Sequence, residues 1–401
     1  MMIGMERSVY MDYAATTPVD ERVVDAMLPY MSEHYGNPSS LYTLGREGYR
    51  ALEAARESIA ATIGAAPNEF IFTGCGTESD NAAVVCISQV VAERKNRRHV
   101  VVSAFEHHAV LRTAEWLAKN DFELTVLKPR EDGIIHAEDL AGVVRDDTGL
   151  VSVMAANNEI GTIQPLKDLA DVAHAKGALF HTDAVQALGK IPFDVNDLGI
   201  DAASFSAHKM YGPKGVGGLY LRKNTPFRPL LMGGGQEFKK RSGTQNVAGA
   251  VAFAKALELM IETHAEEAER LTRLRDRVAD GVTGTIVNTR LNASGSPRLP
   301  GYSNLIILGC EGEAMLLQLD NKGIAVSTGS ACSSSSLEPS HVLLSIGCPV
   351  EEAHGSLRVT LGRFTTDEDV EYFLEVLPPI VERLRSMNPL YDRMYGSGVK
   401  A

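Results

Sequence analysis

The chain has 401 residues, 44% of them hydrophobic and 22% charged, an ordinary globular balance in a length that predicts two domains. The net charge of −12 argues against a nucleic-acid-binding protein and against a polybasic membrane patch, because both need a concentration of positive charge. No apolar run is long enough to span a bilayer, and the first residues do not resemble a signal peptide. Five cysteines without a CxxC pair predict a reduced, cytoplasmic protein without disulfides.

Short apolar runs alternate with helical patterns from about residue 68 to residue 221. Several runs are rich in Val, Ile and Phe, as in strands buried on both faces of a sheet. This alternation predicts βαβ units and a mostly parallel sheet. The predicted strands cover 69–73, 99–103, 123–127, 150–155, 178–182, 203–206 and 217–221, with helices near 78–94, 107–119, 137–145 and 166–176.

A long helical pattern over 247–281 follows and is expected to link two domains. Beyond it come β-like segments at 282–287 and 303–308, and then a loop rich in Gly and Ser. We therefore predict an α/β protein with a mostly parallel sheet in a large domain over 17–260. A smaller α+β domain would combine residues 1–16 with residues 261–401.

Lys209 directly follows a predicted strand, in the segment SFSAHKMYGPKG (204–215). A parallel sheet binds ligands beyond the carboxyl ends of its strands. Partial desolvation at such a place lowers the pKa of a lysine, as a Schiff-base amine requires. Ser206 and His208 lie beside Lys209 and are able to hydrogen-bond a phosphate. Taken alone, Lys209 would be interpreted as a solvated surface lysine, as most lysines are.

Three other strand ends carry groups that suit the same ligand. The Asp183 carboxylate can pair with a protonated pyridine nitrogen, although capping a helix is a common role for Asp. Thr77 and Glu78 open a helix after a glycine turn, and such a start favours a phosphate. His107 can stack on a flat ring or move a proton, or it is an ordinary loop histidine. Together these groups predict that Lys209 carries pyridoxal 5′-phosphate.

The motifs, taken in chain order, resemble those of fold-type I pyridoxal phosphate enzymes, which have the aspartate aminotransferase-like fold. They resemble most closely the cysteine desulfurases of the NifS/IscS type. The matching segments run through nearly the whole chain: MDYAATTPVD (11–20), GNPSS (36–40), GTESDN (76–81), EHHAV (106–110), NNEIGTIQP (157–165), DAVQALGK (183–190), SFSAHKMYGPKG (204–215), GGGQE (233–237), RSGTQNV (241–247), GSACSSSSLEPSHVL (329–343) and LRVTLGRFTT (357–366).

The resemblance implies a role for each matching residue. Lys209 would form the Schiff base and Asp183 would pair with the ring nitrogen. Gln186 would hydrogen-bond the ring oxygen O3′, and His107 would stack on the ring and take part in proton transfer. The implied phosphate contacts are Gly76, Thr77, Ser206 and His208, with a further contact from Thr244 of a neighbouring subunit. Asn158 and Arg358 would hold the substrate carboxylate, and Asn158 would also contact the cofactor.

Cys332 lies in a Gly- and Ser-rich segment, 327–343, with almost no apolar residues to bury a thiol. Cys86 and Cys310 fit small core residues, whereas Cys332 fits an exposed nucleophile. The resemblance implies that L-cysteine is converted to L-alanine while Cys332 receives the sulfur as a persulfide. It also implies a homodimer that delivers sulfur to an iron–sulfur scaffold protein of the IscU/NifU type and to other thiolation pathways. We expect no resident metal, no nucleic acid and no membrane partner; whether Cys332 transiently ligates a cluster iron stays open.

Two alternatives remain open at this point. The scaffold also fits another pyridoxal phosphate reaction, such as that of an aminotransferase or a selenocysteine lyase, with Cys332 incidental. The chain would otherwise be a catalytically silent partner protein, which the set of Lys209, Asp183, Gln186 and His107 argues against. Two positions depart from the family pattern: Tyr42 stands where a His is frequent, and Cys75 where a Ser or Gly is usual. Cys75 is either a second reactive thiol or a small residue tolerated in a turn.

Overall fold

The computed structural model describes residues 8–328, 338–389 and 391. Its strands are β1 Val9–Tyr10, β2 Phe70–Thr73, β3 His99–Ser103, β4 Glu123–Leu127, β5 Thr148–Ser152, β6 Leu179–Asp183, β7 Ala202–Ser206, β8 Gly217–Leu221, β9 Thr289–Leu291, β10 Tyr302–Ile307, β11 Ile324–Ala325 and β12 Ser356–Thr360.

The α-helices vary from single turns to twenty-two residues. They are α1 Glu21–Met27, α2 Pro29–Ser32, α3 Thr43–Thr62, α4 Gly76–Asn81, α5 Ser88–Lys95, α6 His108–Ala118, α7 Ala137–Ala141, α8 Leu166–Ala175, α9 Gln236–Lys239, α10 Val247–Glu262, α11 His264–Thr285, α12 Gly312–Asp320, α13 His341–Ser345, α14 Val350–Ala353 and α15 Asp367–Ser386. A π-helical segment, Ala82–Ile87, joins α4 to α5.

The large sheet has seven strands in the order β2-β8-β7-β6-β5-β3-β4. Strand β8 is antiparallel to β2 and β7, and all other neighbours in this sheet are parallel. Every residue of β3, β5 and β7 is buried, because helices cover both faces of the sheet, whereas β4 at the edge is partly exposed. The predicted α/β fold with a mostly parallel sheet is therefore confirmed.

A second layer is built on the antiparallel sheet β12-β10-β9. The N-terminal stretch joins it, because β1 pairs with β11 and Val9 and Met11 are buried in its core. Helices α11, α12 and α15 supply the rest of that core. Tyr302 and Val342 nevertheless pack into the core of the large sheet. The domain boundary near residue 260 stays a prediction.

Two predicted elements of the connecting region are wrong. The helix expected over 247–281 consists of α10 and α11, which are separated by Thr263 with φ −113° and ψ 8°. The segment expected to be β-like over 282–287 begins as the last turn of α11. Val278 and Val282 are buried four residues apart, so the apolar run is the inner face of a helix. No helix in the parts of the chain described above is both long and apolar enough to cross a bilayer.

Candidate active site

A cavity of about 740 Å³ lies at the carboxyl ends of the parallel strands. The loops that follow β2, β3, β5, β6 and β7 line it, because parallel strands present these ends at one edge of the sheet. The predicted residues that line it are Gly76, Thr77, His107, Asn158, Asp183, Gln186, Ser206, His208, Lys209 and Arg358. Thr244 is exposed and does not line it, and Cys332 lies outside the described residues.

Lys209 ends a short 3-10 turn, Ala207–Lys209, that directly follows β7. Its Nζ donates hydrogen bonds to the carbonyl oxygens of Ala14 at 2.7 Å and Ala15 at 2.6 Å. Both carbonyls belong to the N-terminal stretch that packs on the C-terminal sheet. These backbone oxygens thus hold the lysine amine at the cavity wall. The sequence around Lys209 did not predict this contact.

Asp183 is the last residue of β6 and is 4% exposed. Its Oδ1 accepts a hydrogen bond from the backbone N–H of Val185 at 2.9 Å. Burial raises the pKa of this carboxyl, which the Val185 amide and the charge of Lys209 counteract. Burial, followed by the proximity of Asp183, raises the pKa of Asp80 well above its usual value. The raised pKa of Asp183 reflects the free-energy cost of burying its negative charge. A cationic group placed against Asp183 would offset that cost.

The turn after β2 forms a tight recess at the start of α4. A Cβ on Gly76 would lie 2.8 Å from Cγ2 of Val185, so this close approach requires glycine. Cys75 is the N-cap residue of α4, and its Sγ accepts a hydrogen bond from the N–H of Glu78 at 3.4 Å. Cys75 is exposed and has the small size that a capping position accepts. The recess presents helix-start amides and the side chain of Thr77 to the cavity.

His107 caps the start of α6. Its Nδ1 accepts a hydrogen bond from the N–H of Ala109 at 3.1 Å, so the neutral ring carries its proton on Nε2. Burial, together with the charge of Lys209, lowers the pKa of His107 to about 4. At neutral pH the ring is therefore uncharged and can donate a hydrogen bond only from Nε2.

Arg358 is buried and points from β12 toward the cavity. One terminal nitrogen donates to the carbonyl oxygen of Asn158 at 3.0 Å, and the other donates to Oδ1 of Asp12 at 2.8 Å. Its Nε is buried and has no hydrogen-bond partner among the described residues. The partner Asp12 was missed in the sequence, although it belongs to the quoted segment MDYAATTPVD (11–20).

Glu106 is a buried carboxyl group that sequence reasoning also missed. Its Oε1 accepts hydrogen bonds from the Ser103 hydroxyl and from the N–H of Met154 at 2.6 Å. Its Oε2 is buried and has no partner among the described residues. Burial raises the pKa of Glu106 from its usual value of 4.5 to about 8. The folded chain therefore favours the protonated form of this carboxyl.

This raised pKa gives a testable dependence of stability on pH. The stabilisation from protonated Glu106 is complete below pH 4.5 and is lost as the pH rises through about 8. We expect Glu106→Gln to gain stability relative to the unsubstituted protein across this window, by up to about 1.4 kcal/mol per pH unit. Urea unfolding of both proteins from pH 5 to pH 8 measures the difference. The matched surface change Glu115→Gln should give a constant difference, and a constant difference for Glu106→Gln would contradict the prediction.

The chain was compared with known proteins. It matches the family described as Aminotransferase class-V over residues 9–373. It is 51% identical over 385 residues to a cysteine desulfurase IscS of Dictyoglomus turgidum, covering 96% of this chain and 97% of that one. It is 50% identical over 389 residues to a cysteine desulfurase IscS of Methanosarcina thermophila, covering 97% and 96%. A solved NifS-like protein matches with a TM-score of 0.87 and 39% identity, over 94% of this chain and 99% of that chain.

Proposed function

The chain belongs to the class-V aminotransferase family, and from that premise we propose that it is a pyridoxal phosphate-dependent cysteine desulfurase that converts L-cysteine to L-alanine. The predicted family is thus confirmed. The observation that carries the proposal is the convergence of Lys209, Asp183 and the Gly76 recess on one cavity, in a chain that matches desulfurases over nearly its whole length. A catalytically silent protein would not need this set of polar groups at one place.

The cavity fits pyridoxal phosphate on three features of its own. A buried carboxylate, Asp183, suits a cationic ring nitrogen; a lysine amine stands at the wall; and the Gly76 recess leaves room for a phosphate at helix-start amides. When bound, the cofactor supplies an electron sink for charge that develops at the substrate Cα. The residues that would hold it are Gly76, Thr77, His107, Asp183, Gln186, Ser206, His208 and Lys209.

The side chains of the cavity divide the remaining tasks. Arg358 would bind the substrate carboxylate near Asn158, using a guanidinium whose Nε has no described partner. The amine of Lys209 would take the proton from the substrate Cα, because the Ala14 and Ala15 carbonyl oxygens hold this amine at the cavity wall. His107 would donate a hydrogen bond from Nε2, the nitrogen that carries the proton in the neutral ring.

Sulfur transfer is assigned to Cys332, which lies outside the described residues. The Cys332 thiolate would attack the substrate sulfur, forming an S–S bond while the C–S bond of the substrate breaks. The electron pair of that bond stays with the three-carbon fragment, which takes up a proton and leaves as alanine. Cys86 and Cys310 are buried, and burial raises the pKa of Cys86 to about 11, which suits core residues better than nucleophiles.

Mass spectrometry after exposure to L-cysteine tests this function. We expect one added sulfur on the peptide that contains Cys332, together with alanine in solution. Cys332→Ser should lose the added sulfur and reduce alanine formation at least about a hundredfold, since the nucleophile is gone. Cys75→Ser is the matched control, because a serine oxygen also caps a helix and this protein should still gain the sulfur. Undiminished turnover in Cys332→Ser would favour another pyridoxal phosphate reaction.

A homodimer is part of the same proposal. Thr244, expected to contact the phosphate, is exposed and does not line the cavity of its own chain, so we assign this contact to a second copy. The side chains of Leu41 and Met232 are 88% and 84% exposed, which leaves apolar surface for a partner to cover. Delivery of sulfur to an iron–sulfur scaffold protein and a cytoplasmic location stay predictions from the family resemblance.

A further inference from the structure

The side-chain amide of Gln186 takes part in a closed group of hydrogen bonds beside the cavity. Its Oε1 accepts from the Tyr302 hydroxyl at 2.6 Å and from Nζ of Lys190 at 2.9 Å. Lys190 Nζ also donates to the Tyr302 hydroxyl oxygen at 2.9 Å. The Gln186 Nε2 donates to the carbonyl oxygen of Ala14 at 3.0 Å, the same oxygen that accepts from Lys209. Each of the three polar side chains thus contacts the other two.

This arrangement determines which way the amide points. A flipped amide would place Oε1 of Gln186 against the Ala14 carbonyl oxygen, which can only accept, and would lose the hydrogen bond from Nε2. Burial, together with the charge of Lys209, lowers the pKa of Lys190 to about 7. The amine keeps at least two hydrogens whether it is charged or neutral, so Lys190 can donate to both of its acceptors in either state. The orientation of Gln186 is therefore independent of the charge on Lys190.

Tyr302 reaches this position from the other sheet. It begins β10, in the antiparallel C-terminal sheet, yet its ring is 1% exposed and belongs to the core of the large sheet. Neither Tyr302 nor Lys190 lines the large cavity, whereas Gln186 does. Tyr302 and Lys190 can therefore affect a ligand in the cavity through the amide group of Gln186, which contacts both of them.

We propose that Lys190 and Tyr302 are positioning residues that hold Oε1 of Gln186, so that its Nε2 presents an N–H group to the ring oxygen of bound pyridoxal phosphate. This inference rests on the proposed function. Two donors on Oε1 also polarise the amide, which makes its N–H groups stronger donors. Tyr302, which belongs to the C-terminal sheet, would in this way help to set the electronic state of the bound cofactor without lining the cavity.

The experiment titrates the holoenzyme without substrate. The pH at which the visible absorption of the bound cofactor changes is measured for the unsubstituted protein, Tyr302→Phe and Lys190→Met. A weaker donor to the ring oxygen stabilises its anionic form less, so both changes should move this pH upward by about 0.5 unit or more. The dissociation constant for pyridoxal phosphate should rise by about threefold to tenfold. Tyr372→Phe removes a hydroxyl bonded to the Lys322 carbonyl, far along the chain, and is the matched control.

A double-variant cycle separates positioning from a structural effect. In a Gln186→Ala background, Tyr302→Phe should produce no further shift, because the tyrosine acts through the amide. An unshifted titration in Tyr302→Phe and Lys190→Met, or an equal shift in the Gln186→Ala background, would overturn the inference. If thermal unfolding shows that Tyr302→Phe is not folded, the same double-variant cycle is measured with Lys190→Met in its place. If the holoenzyme forms alanine from cysteine but does not show the expected pattern of shifts, only the positioning role of Lys190 and Tyr302 is refuted. If the protein binds no pyridoxal phosphate, the proposed function is refuted as well.

Discussion

Replacing Lys209 with alanine is expected to lower alanine formation from L-cysteine by at least about a thousandfold. The change removes the amine that would attach the cofactor and take the Cα proton, and it leaves the Ala14 and Ala15 carbonyls without this donor. Steady-state alanine formation measures the loss. Borohydride reduction followed by mass spectrometry should attach the cofactor to the unsubstituted protein and not to the variant.

The neighbouring lysine provides a matched control for this change. Lys214 is exposed, lies five residues further along the chain and does not line the cavity. Lys214→Ala should therefore keep both turnover and the reducible attachment. A Lys209→Ala protein that retained either property would contradict the assignment of Lys209 and, with it, the proposed chemistry.

Replacing Asp183 with asparagine is expected to produce the second large effect. The substitution preserves shape and removes a buried charge, so a cationic ring nitrogen would lose its partner. Removing one member of a buried ion pair costs about 3–5 kcal/mol. This corresponds to a loss of about two to nearly four orders of magnitude in cofactor affinity or turnover.

Equilibrium dialysis against pyridoxal phosphate and alanine formation at saturating cofactor measure the two contributions separately. Weak binding with recovered turnover would mean that Asp183 mainly holds the cofactor, whereas low turnover at saturation would mean that it also maintains the electron sink. Asp197→Asn makes the same change at an exposed position and should alter neither quantity. An Asp183→Asn protein that matched the unsubstituted protein in both would refute the ring-nitrogen assignment.

Much of the large sheet could be predicted from local pattern. The runs at 99–103 and 217–221 coincide with β3 and β8, because buried strands show as short, continuous apolar stretches. The run at 123–127 coincides with β4, which lies at the edge of the sheet and is partly exposed. The same rule failed at 282–287, where a short apolar run belongs to the end of α11. Local composition cannot distinguish a buried helical turn from a short strand, and here the packing of Val278 and Val282 decided between them.

The motifs that follow the strands could also be identified from sequence, since parallel strands bring their carboxyl ends to one edge. Lys209, Asp183 and His107 therefore line one cavity, as their positions after predicted strands indicated. Their chemical roles are still predictions for the experiments above. The residues around them were found only in the structure, among them Glu106, whose carboxyl group is enclosed behind the cavity wall.

Local periodicity and short motifs encode the family, the parallel sheet and the residues placed directly after its strands, so these features could be predicted from the sequence. The distant side chains that meet those residues became known only from the folded structure. Asp12 pairs with Arg358 and Tyr302 with Gln186, although long stretches of chain separate the members of each pair. The physical reason is that such hydrogen bonds depend on how the N-terminal stretch and the C-terminal sheet pack against the large sheet, and no local pattern records that packing.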